Sequence, residues 1–211
     1  MQGSPAALQR FVMRRAAQLA GLHVYRVMVR ALDQGAAPGG DAGPLEVPGI
    51  ELRLRSPAQL LAHSADAGLE LEPSALVEGE RRGEGIIAAM QGERLAGYLW
   101  FAFRPAPHSR GTWAEFQRDT VYLYRAFVRP QLRGRGIATA LYRRADARFL
   151  PRPCRRALAC VELHNHASTA ALRKAGFESQ GRIVTLQPTR RLFLWRSPAA
   201  ARAGFRFSTQ A

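Results

Sequence analysis

The amino-acid sequence predicts an α/β domain, in which strand hairpins and strand–helix units contribute to one sheet. Residues 85–91 and 94–103 have the composition of two strands joined by a tight turn. Residues 121–128 form a third and strongly apolar strand pattern. They are followed, over residues 134–150, by apolar side chains at helical spacing. Both kinds of connection are therefore expected within the same domain.

Further elements are predicted on either side of this region. Additional strands are expected at residues 23–32, 50–55, 157–163, 183–186 and 191–195, the last two as a hairpin. Additional helices are expected at residues 5–20, after Ser56-Pro57, after Pro73 and at residues 168–175. A long polar connection is expected over residues 104–118, and connections of this length are often functional.

Composition divides the chain into three segments. Residues 1–49 are expected to form an N-terminal helix and strand, followed by a linker rich in glycine and proline. Residues 50–196 are expected to form the main domain. Residues 197–211 are expected to be a flexible tail.

The net charge of +15 is concentrated in the last part of the chain. Residues 121–211 carry 17 Arg, one Lys and 3 acids, a net +15, whereas residues 1–50 carry +2 and residues 51–120 carry −2. A local positive field favours an anionic partner, such as a polyphosphate cofactor, an acidic carrier protein, an anionic membrane surface or nucleic acid. The sequence has no interleaved aromatic and basic stripe and no nucleic-acid-binding motif, so a specific nucleic-acid partner is not expected.

The sequence also bears on the compartment. No apolar run reaches 18 residues, so no membrane span is expected, and the start lacks the apolar centre of a secretory signal. Cys154 and Cys160 do not have the spacing of a metal-ligand pair. Two thiols without a disulfide framework suit a reducing environment. We therefore expect a cytoplasmic protein without a metal.

The turn between the strand at 121–128 and the helix that follows it has the features of an anion site. A helix N-terminus offers several unpaired backbone amides and a partial positive charge. Gly134 and Gly136 allow the backbone to approach an anion closely. Arg133 and Arg135 add donors for charge-assisted hydrogen bonds. The turn is therefore expected to bind a pyrophosphate.

At two places the sequence resembles the GNAT superfamily of acyl-CoA-dependent N-acyltransferases. The superfamily signature is Arg or Gln, two residues, Gly, one residue, then Gly or Ala, and Arg133, Gly136 and Ala138 fill these positions after Val128-x-Pro130. Downstream, the family's Asn-x-x-Ala/Ser and Gly-Phe positions are matched by Asn165, Ser168, Gly176 and Phe177. The resemblance covers roughly residues 50–196 and leaves the first 49 residues outside it.

The resemblance implies a mixed, twisted and mostly antiparallel sheet with helices on both faces. In this fold the fourth and fifth strands splay apart, and the pantetheine arm of the cofactor lies between them. The donor would be acetyl-CoA or another acyl-CoA, and the acceptor a primary amine that attacks the thioester directly. The residues implied in cofactor binding are Phe127, Val128, Arg133, Gly134, Arg135, Gly136, Ile137, Ala138, Thr139, Asn165 and Ser168.

The catalytic positions depart from the family pattern. The family's tyrosine acid corresponds to Leu172, and its glutamate base corresponds to Tyr122. Tyr122 and Tyr124 share one face of their strand, and Glu162 follows on the fifth strand, so these three residues are the candidates for acid and base. His108, on the long connection, is a candidate for lining the acceptor site.

Three functions remain open at this point. The first is transfer of an acetyl group from acetyl-CoA to a small amine. The second is transfer of a longer acyl group, from acyl-CoA or an acyl carrier protein, with Trp100, Phe101 and Phe103 as possible tunnel residues. The third is a degenerate family member that binds CoA as a sensor, which the missing tyrosine and glutamate favour. The sequence leaves the oligomeric state open, and a dimer is compatible with it.

Overall fold

The computed structural model of the chain describes residues 21–32, 47–108, 111–146, 149–187 and 192–209. The strands are β1 Leu22–Ala31, β2 Glu51–Arg55, β3 Gly85–Gln91, β4 Arg94–Ala102, β5 Ala106–Pro107, β6 Thr112–Glu115, β7 Thr120–Val128, β8 Arg156–Glu162, β9 Glu178–Leu186, β10 Phe193–Arg196 and β11 Arg206–Thr209. The α-helices are α1 Pro73–Arg81, α2 Ile137–Arg144, α3 His166–Lys174 and α4 Pro198–Arg202. Short 3-10 helices are formed by Ala58–Ala65, Ala67–Leu69 and Pro130–Leu132. The helix predicted at residues 5–20 and most of the predicted linker lie outside the described residues.

The main sheet has eight strands in the order β10-β9-β1-β8-β7-β4-β3-β2. Among the described strands, β7 and β8 are the only neighbours that run parallel, and all other pairs are antiparallel. A second, three-stranded sheet has the order β11-β6-β5. The predicted mixed and mostly antiparallel sheet is therefore confirmed.

The two parallel strands separate along their length. The pairing of β7 with β8 runs only from Thr120–Arg156 to Leu123–Ala159. Beyond Leu123, β7 pairs with β4 alone, and β8 continues against β1. A bulge interrupts β7 at this point, where the register against β4 shifts and Arg125 adopts a φ of +48°. The predicted splay of the two strands is present, and the bulge lies just after the last paired residues of β7 and β8.

Alternation along the strands sends side chains to two separate cores. On one face, Tyr122 of β7 and Trp100 of β4 pack with Leu76 of α1 and Phe205 of the C-terminal segment. On the other face, Leu123 packs with the helices α2 and α3 through residues such as Leu141 and Leu172. Helices therefore cover both faces of the sheet, as expected.

Strand β1 lies inside the main sheet, between β8 and β9. Tyr25 pairs with Glu162 on one side and with Ile183 on the other. The strand itself was predicted, but the sequence placed it in an extension outside the main domain. In the structure it belongs to the same sheet as residues 50–196, because its alternating apolar side chains contribute to both cores.

Three other local predictions are wrong in part. The helix predicted over residues 134–150 is only Ile137–Arg144, because Ala145 leaves helical geometry. Its last carbonyls, those of Arg143 and Ala145, accept hydrogen bonds from Arg30 of β1, and Arg30 also binds the Ala175 carbonyl at the end of α3. This burial lowers the pKa of Arg30 to about 10.

The polar connection at 104–118 contains two short strands, and the part of the tail that the structure describes, up to Thr209, forms a helix and a strand. Strands β5 and β6 pair with each other, and β11 from the tail adds to β6. This part of the tail is ordered because Phe205 and Phe207 are buried against the aromatic side chains of the main sheet.

Candidate active site in the splayed strands

A cavity of about 1000 Å³ opens where β7 and β8 separate. It is lined by the C-terminal end of β7, the turn that follows, the first turns of α2, and the N-terminal part of α3. All the residues implied in cofactor binding by the resemblance line it. The structure therefore places the two sequence motifs, which are separate in the chain, around the same cavity.

The floor of this cavity is backbone with little side-chain cover. Gly134 and Gly136 adopt φ values of +80° and +85°, which side chains disfavour, and nothing lies within 4 Å of where a Cβ would stand. Gly136 is the N-cap of α2. The amides of the first helical turn are therefore left without intrahelical partners at the edge of the cavity.

Basic side chains surround this backbone. Arg133 donates from Nε to the Val128 carbonyl at 3.1 Å, and Arg135 donates to the Pro48 carbonyl at 3.3 Å. Arg143 binds the Lys174 carbonyl through Nε and Nη2 at 3.2 and 2.8 Å. All of these cationic residues line the cavity. Their charges and the helix N-terminus give the cavity a positive potential, which suits a polyphosphate.

Asn165 and Ser168 stand at the other wall. Asn165 is the N-cap of α3, and its Oδ1 accepts from the Ser168 amide at 3.0 Å. The capping function and the cavity-lining position therefore coexist in the same side chain.

A second cavity of about 540 Å³ adjoins the first. Its wall includes the aromatic rings of Tyr98 and Trp100 and three charged residues, which are Glu70, Glu72 and Arg125. Glu70, Ala126 and Phe127 line both cavities. A molecule in the first cavity and one in the second would therefore meet at the bulge of β7.

The loop that carries Glu70 is held at both ends. The Tyr98 hydroxyl donates to the Leu69 carbonyl at 2.9 Å and to the Glu70 carbonyl at 3.3 Å. Burial, and then the charge of Glu70, raise the pKa of Tyr98. Glu70 itself has a φ of +52°, which is unusual for a residue with a side chain.

An ion pair between a buried arginine and an exposed aspartate fixes the start of the same loop. Arg129 is only 6% exposed and donates to Asp66 at 2.6 Å and to the Leu95 carbonyl at 2.6 Å. The hydrogen bond from Arg129, together with the Gly68 amide, lowers the pKa of Asp66. The loop is therefore attached to the end of β7, which also lines the larger cavity.

The predicted catalytic tyrosines lie behind the second cavity. Tyr122 is fully buried, burial raises its pKa, and its hydroxyl lies 2.8 Å from Nδ1 of His108. Tyr124 stacks on Tyr122 with ring centroids 5.3 Å apart. The Tyr124 hydroxyl is buried without a well-aligned hydrogen-bond partner in the described chain, and burial and the nearby Glu84 carboxylate raise its pKa. Neither tyrosine lines either of the two cavities.

Glu162 bridges two histidines at the end of β8. One carboxylate oxygen lies 2.9 Å from Nδ1 of His23, and the other lies 2.8 Å from Nε2 of His164. Glu162 lines neither of the two cavities, and its catalytic role stays a prediction. Leu172 is fully buried in the core under α2 and α3.

The proposed tunnel aromatics are divided between the two faces of the sheet. Trp100 lines the second cavity. Phe101 and Phe103 pack with each other in the opposite core. The three rings therefore do not form one continuous wall.

Sequence reasoning missed the charged residues of the second cavity. Glu70 lies in a short loop without a periodic pattern, and Arg125 looks like any exposed residue of an alternating strand. What distinguishes both is a positive φ in a residue with a side chain. Strained backbone of this kind accumulates at functional sites, but it is not visible in a sequence.

Two further observations concern classes of site. In the part of the chain that the structure describes, no group of three or more His, Cys, Asp and Glu side chains is arranged to hold a metal ion. None of the helices within the described ranges is long and apolar enough to cross a membrane.

Comparison with known proteins agrees with the fold described above. Residues 54–177 match the family model described as the acetyltransferase (GNAT) family. No curated protein matches the sequence. Among solved structures, the GCN5-related N-acetyltransferase from Sphaerobacter thermophilus is 16% identical with a TM-score of 0.52, over 93% of this chain and 58% of that chain. A protein titled as a GNAT-family acetyltransferase from Novosphingobium aromaticivorans DSM 12444 is 19% identical with a TM-score of 0.51, over 83% of this chain and 66% of that chain.

The fold and the site define an α/β protein in which a glycine-containing turn and a helix N-terminus line a cavity where two parallel strands separate. The family model covers more than half of the chain, and the structural likenesses agree with it in fold. This chain belongs to the GNAT acetyltransferase family. It spans 58% and 66% of the lengths of the two solved chains above.

Proposed function

We propose that the protein transfers an acyl group, most simply acetyl, from acyl-CoA to the primary amine of a small molecule. The observation that carries this proposal is the pair of adjoining cavities, which meet at the bulge of β7. One cavity has the backbone and charge that a CoA pyrophosphate requires, and the other is open to an acceptor. Membership of the family supports the general reaction.

In this proposal the donor is held mainly by backbone. The amides from Arg133 to Thr139 bind the pyrophosphate, and the pantetheine arm runs between β7 and β8 towards Phe127 and Val128. Asn165 and Ser168 lie along this arm. The support is that all of these residues line the larger cavity, with glycines where close approach is needed.

The thioester carbonyl would lie at the bulge. Beyond Leu123, the edge of β7 that faces β8 is not paired with it, so backbone amides near Ala126 are available to polarise the carbonyl oxygen. The neutral amine attacks the carbonyl carbon, the new C–N bond forms, and the C–S bond breaks. The thiolate leaves with the electron pair and takes a proton.

The test separates binding from transfer. Calorimetry should detect acetyl-CoA binding, and a thiol-release assay with a panel of primary amines should detect CoA formed together with the N-acetyl product by mass spectrometry. Binding of acetyl-CoA without transfer to any amine would support the CoA-sensor alternative instead. Absence of acetyl-CoA binding would contradict the proposal as a whole.

A further inference from the structure

The second cavity carries carboxylates that no residue in the described part of the chain neutralises. Glu70 and Glu72 line it, and neither carboxylate has a hydrogen bond or ion pair among the described residues. Several other carboxylates in the described chain are engaged by arginine, as in Glu84 with Arg82 at 2.8 Å, whereas Glu93 and Glu178 also have no ion pair among the described residues. In a chain of net charge +15, carboxylates that remain free are available to a cationic ligand.

Arg125 contributes the opposite charge on the same cavity. Its guanidinium lies over the rings of Trp100 and Tyr124, 5.6 and 5.9 Å from their centroids. Stacking orients the group without using its N–H donors. In the part of the chain that the structure describes, no carboxylate or carbonyl accepts a hydrogen bond from Arg125, so its donors are free for an anion.

The backbone holds both charged positions in unusual conformations. Arg125 and Glu70 are the two residues with side chains that have a positive φ within the described ranges, at +48° and +52°. A positive φ is unfavourable for a residue with a side chain, so the surrounding structure has to hold each of them in place. The Tyr98 hydroxyl and the Arg129–Asp66 pair provide that support on the Glu70 side. The two side chains are therefore presented by fixed backbone.

Glu70 lies where the reaction would occur. It lines both cavities, together with Ala126 and Phe127 at the bulge. An ammonium held at Glu70 is therefore next to the proposed thioester position. An alkyl ammonium has a pKa of about 10, so near neutral pH it has to lose a proton before it can attack.

We propose that this cavity binds an acceptor that carries a primary ammonium and a separate anionic group, with the ammonium at Glu70 and the anion at Arg125. Amino acids and other small aminocarboxylates belong to this class, and the cavity volume of about 540 Å³ accommodates them. The inference rests on the proposed function and specifies its acceptor.

The proton balance follows from this arrangement. The ammonium gives one proton to Glu70, which passes it to solvent, since Glu70 is exposed. The neutral amine then forms the C–N bond as the C–S bond breaks. The second proton of the nitrogen goes to the departing thiolate. The products are the N-acyl compound, free CoA thiol and one released proton.

The substrate test uses matched acceptors. We would measure kcat/KM with acetyl-CoA for four amino acids of increasing length, which are glycine, β-alanine, 4-aminobutanoate and 6-aminohexanoate, and for the carboxamide of each. Ethanolamine phosphate would be measured in the same way against ethanolamine. The best acid or phosphate should exceed its uncharged counterpart, the carboxamide or ethanolamine, at least tenfold. The amino acid with the highest kcat/KM indicates the distance between the ammonium site at Glu70 and the anion site at Arg125. Ethanolamine phosphate shows whether the anion site prefers a carboxylate or a phosphate. Equal values for acids and amides would overturn the inference.

Variants test the two residues separately. Arg125→Met should reduce kcat/KM for the acid at least tenfold and for its amide much less, whereas Arg202→Met removes an equal charge from an exposed helix as the control. Glu70→Gln should lower kcat/KM at least tenfold at pH 7 and less at pH 9.5, where more of the amine is already neutral. Glu93→Gln, on the exposed turn between β3 and β4, removes a carboxylate outside both cavities and should leave kcat/KM unchanged as the control. A loss for Arg125→Met that is equal for acid and amide, or a loss for Glu70→Gln that is equal at both pH values, contradicts the assignment.

The same preparations should be tested for acetyl-CoA binding by calorimetry. If acetyl-CoA binds and no acceptor is acetylated, the proposed function fails and this inference with it. If amines without an anionic group are acetylated as well as the acids, the proposed function stands and the inference alone fails.

Discussion

The two adjoining cavities are built in different ways. The larger cavity, proposed to hold the cofactor, is formed mostly by one continuous stretch, from Phe127 to Thr139, and by the backbone amides and glycines in it. The second cavity, proposed to hold the acceptor, takes its charges from side chains on separate elements, at Glu70, Glu72 and Arg125. A site made of contiguous backbone can be recognised in a sequence, whereas one assembled from distant side chains becomes visible only after folding.

The largest effect that tests this contrast is expected at Gly136. The variant Gly136→Glu places a carboxylate in the open space beside the helix N-terminus, where a pyrophosphate would bind. We expect acetyl-CoA affinity to fall at least 1000-fold, which is about 4 kcal/mol. Calorimetry measures the affinity, and circular dichroism shows whether the variant is folded.

Gly83→Glu is the matched control for that variant. Gly83 also has a positive φ, at +68°, and open space around it, but it lies away from the cofactor cavity. It should show a similar loss of stability with unchanged acetyl-CoA affinity. A folded Gly136→Glu protein that binds acetyl-CoA normally would mean that the cofactor cavity does not depend on its backbone.

The next effect concerns stability behind the acceptor cavity, where His108 contacts Tyr25, Tyr122 and Phe207. Burial, followed by the charges of His23 and Arg125, lowers its pKa from 6.5 to about 4. Between these values the unfolded chain binds a proton that the folded chain does not. The stability that comes from keeping His108 neutral in the folded chain is therefore fully present above pH 6.5. It is lost as the pH falls towards 4, and the loss in unfolding free energy is at most about 3 kcal/mol.

Urea unfolding at several pH values measures this dependence. In the variant His108→Gln, the unfolding free energy should depend less steeply on pH between pH 6.5 and 4 than in the unchanged protein. Identical slopes in the two proteins would show that His108 is not held neutral by the folded chain.

A smaller effect is expected at the loop that carries Glu70. Tyr98→Phe removes the hydroxyl that binds the Leu69 and Glu70 carbonyls, which should cost about 1 kcal/mol of unfolding free energy. The loosened carboxylate should lower kcat/KM for the acceptor by about three- to tenfold, since small misplacements reduce rates, while acetyl-CoA affinity stays the same.

Tyr124→Phe is the comparison for Tyr98→Phe in stability. The Tyr124 hydroxyl is buried without a well-aligned partner in the described chain, so its removal should leave the unfolding free energy unchanged or raise it.

If Tyr98→Phe weakened acetyl-CoA binding as much as it lowered kcat/KM for the acceptor, the two cavities would not be separable in the way proposed.

The smallest effect is expected at Glu162. Its carboxylate is engaged by His23 and His164, and it lines neither of the two cavities. For Glu162→Gln we expect kcat/KM at pH 7 to change less than threefold, and stability by less than about 1 kcal/mol because the pair is partly exposed. A tenfold or greater loss of kcat/KM would instead favour Glu162 as the base over Glu70.

Particular elements show what the sequence could and could not predict. The turn that lines the larger cavity was predictable as a unit because its glycines, its arginines and its helix start lie within a few residues of one another. The alternation at residues 23–32 predicted a strand, but nothing in that alternation indicates which strands lie on either side of it. Helical periodicity overestimated the length of α2, whose last carbonyls are bound by Arg30 from more than 100 positions away, a contact that periodicity does not reveal.

The tail illustrates a signal that was present but not used. Phe205 and Phe207 alternate with polar residues, as in a half-buried strand, and the structure places both in the aromatic core. Glu70 and Arg125 gave no comparable signal, because a positive φ depends on how the loop and the bulge are held by other elements.

The position of β1 determines when this sheet can be completed during synthesis. His23 and Glu162 are hydrogen-bonded neighbours that are 139 positions apart. At about 5–20 residues per second, a ribosome needs roughly 7–28 s to make the chain between them. Throughout that interval the first strand has neither of its partners, and its apolar side chains are available to chaperones. The pairing of β1 in the main sheet can therefore be completed only after β8 and β9 have been synthesised.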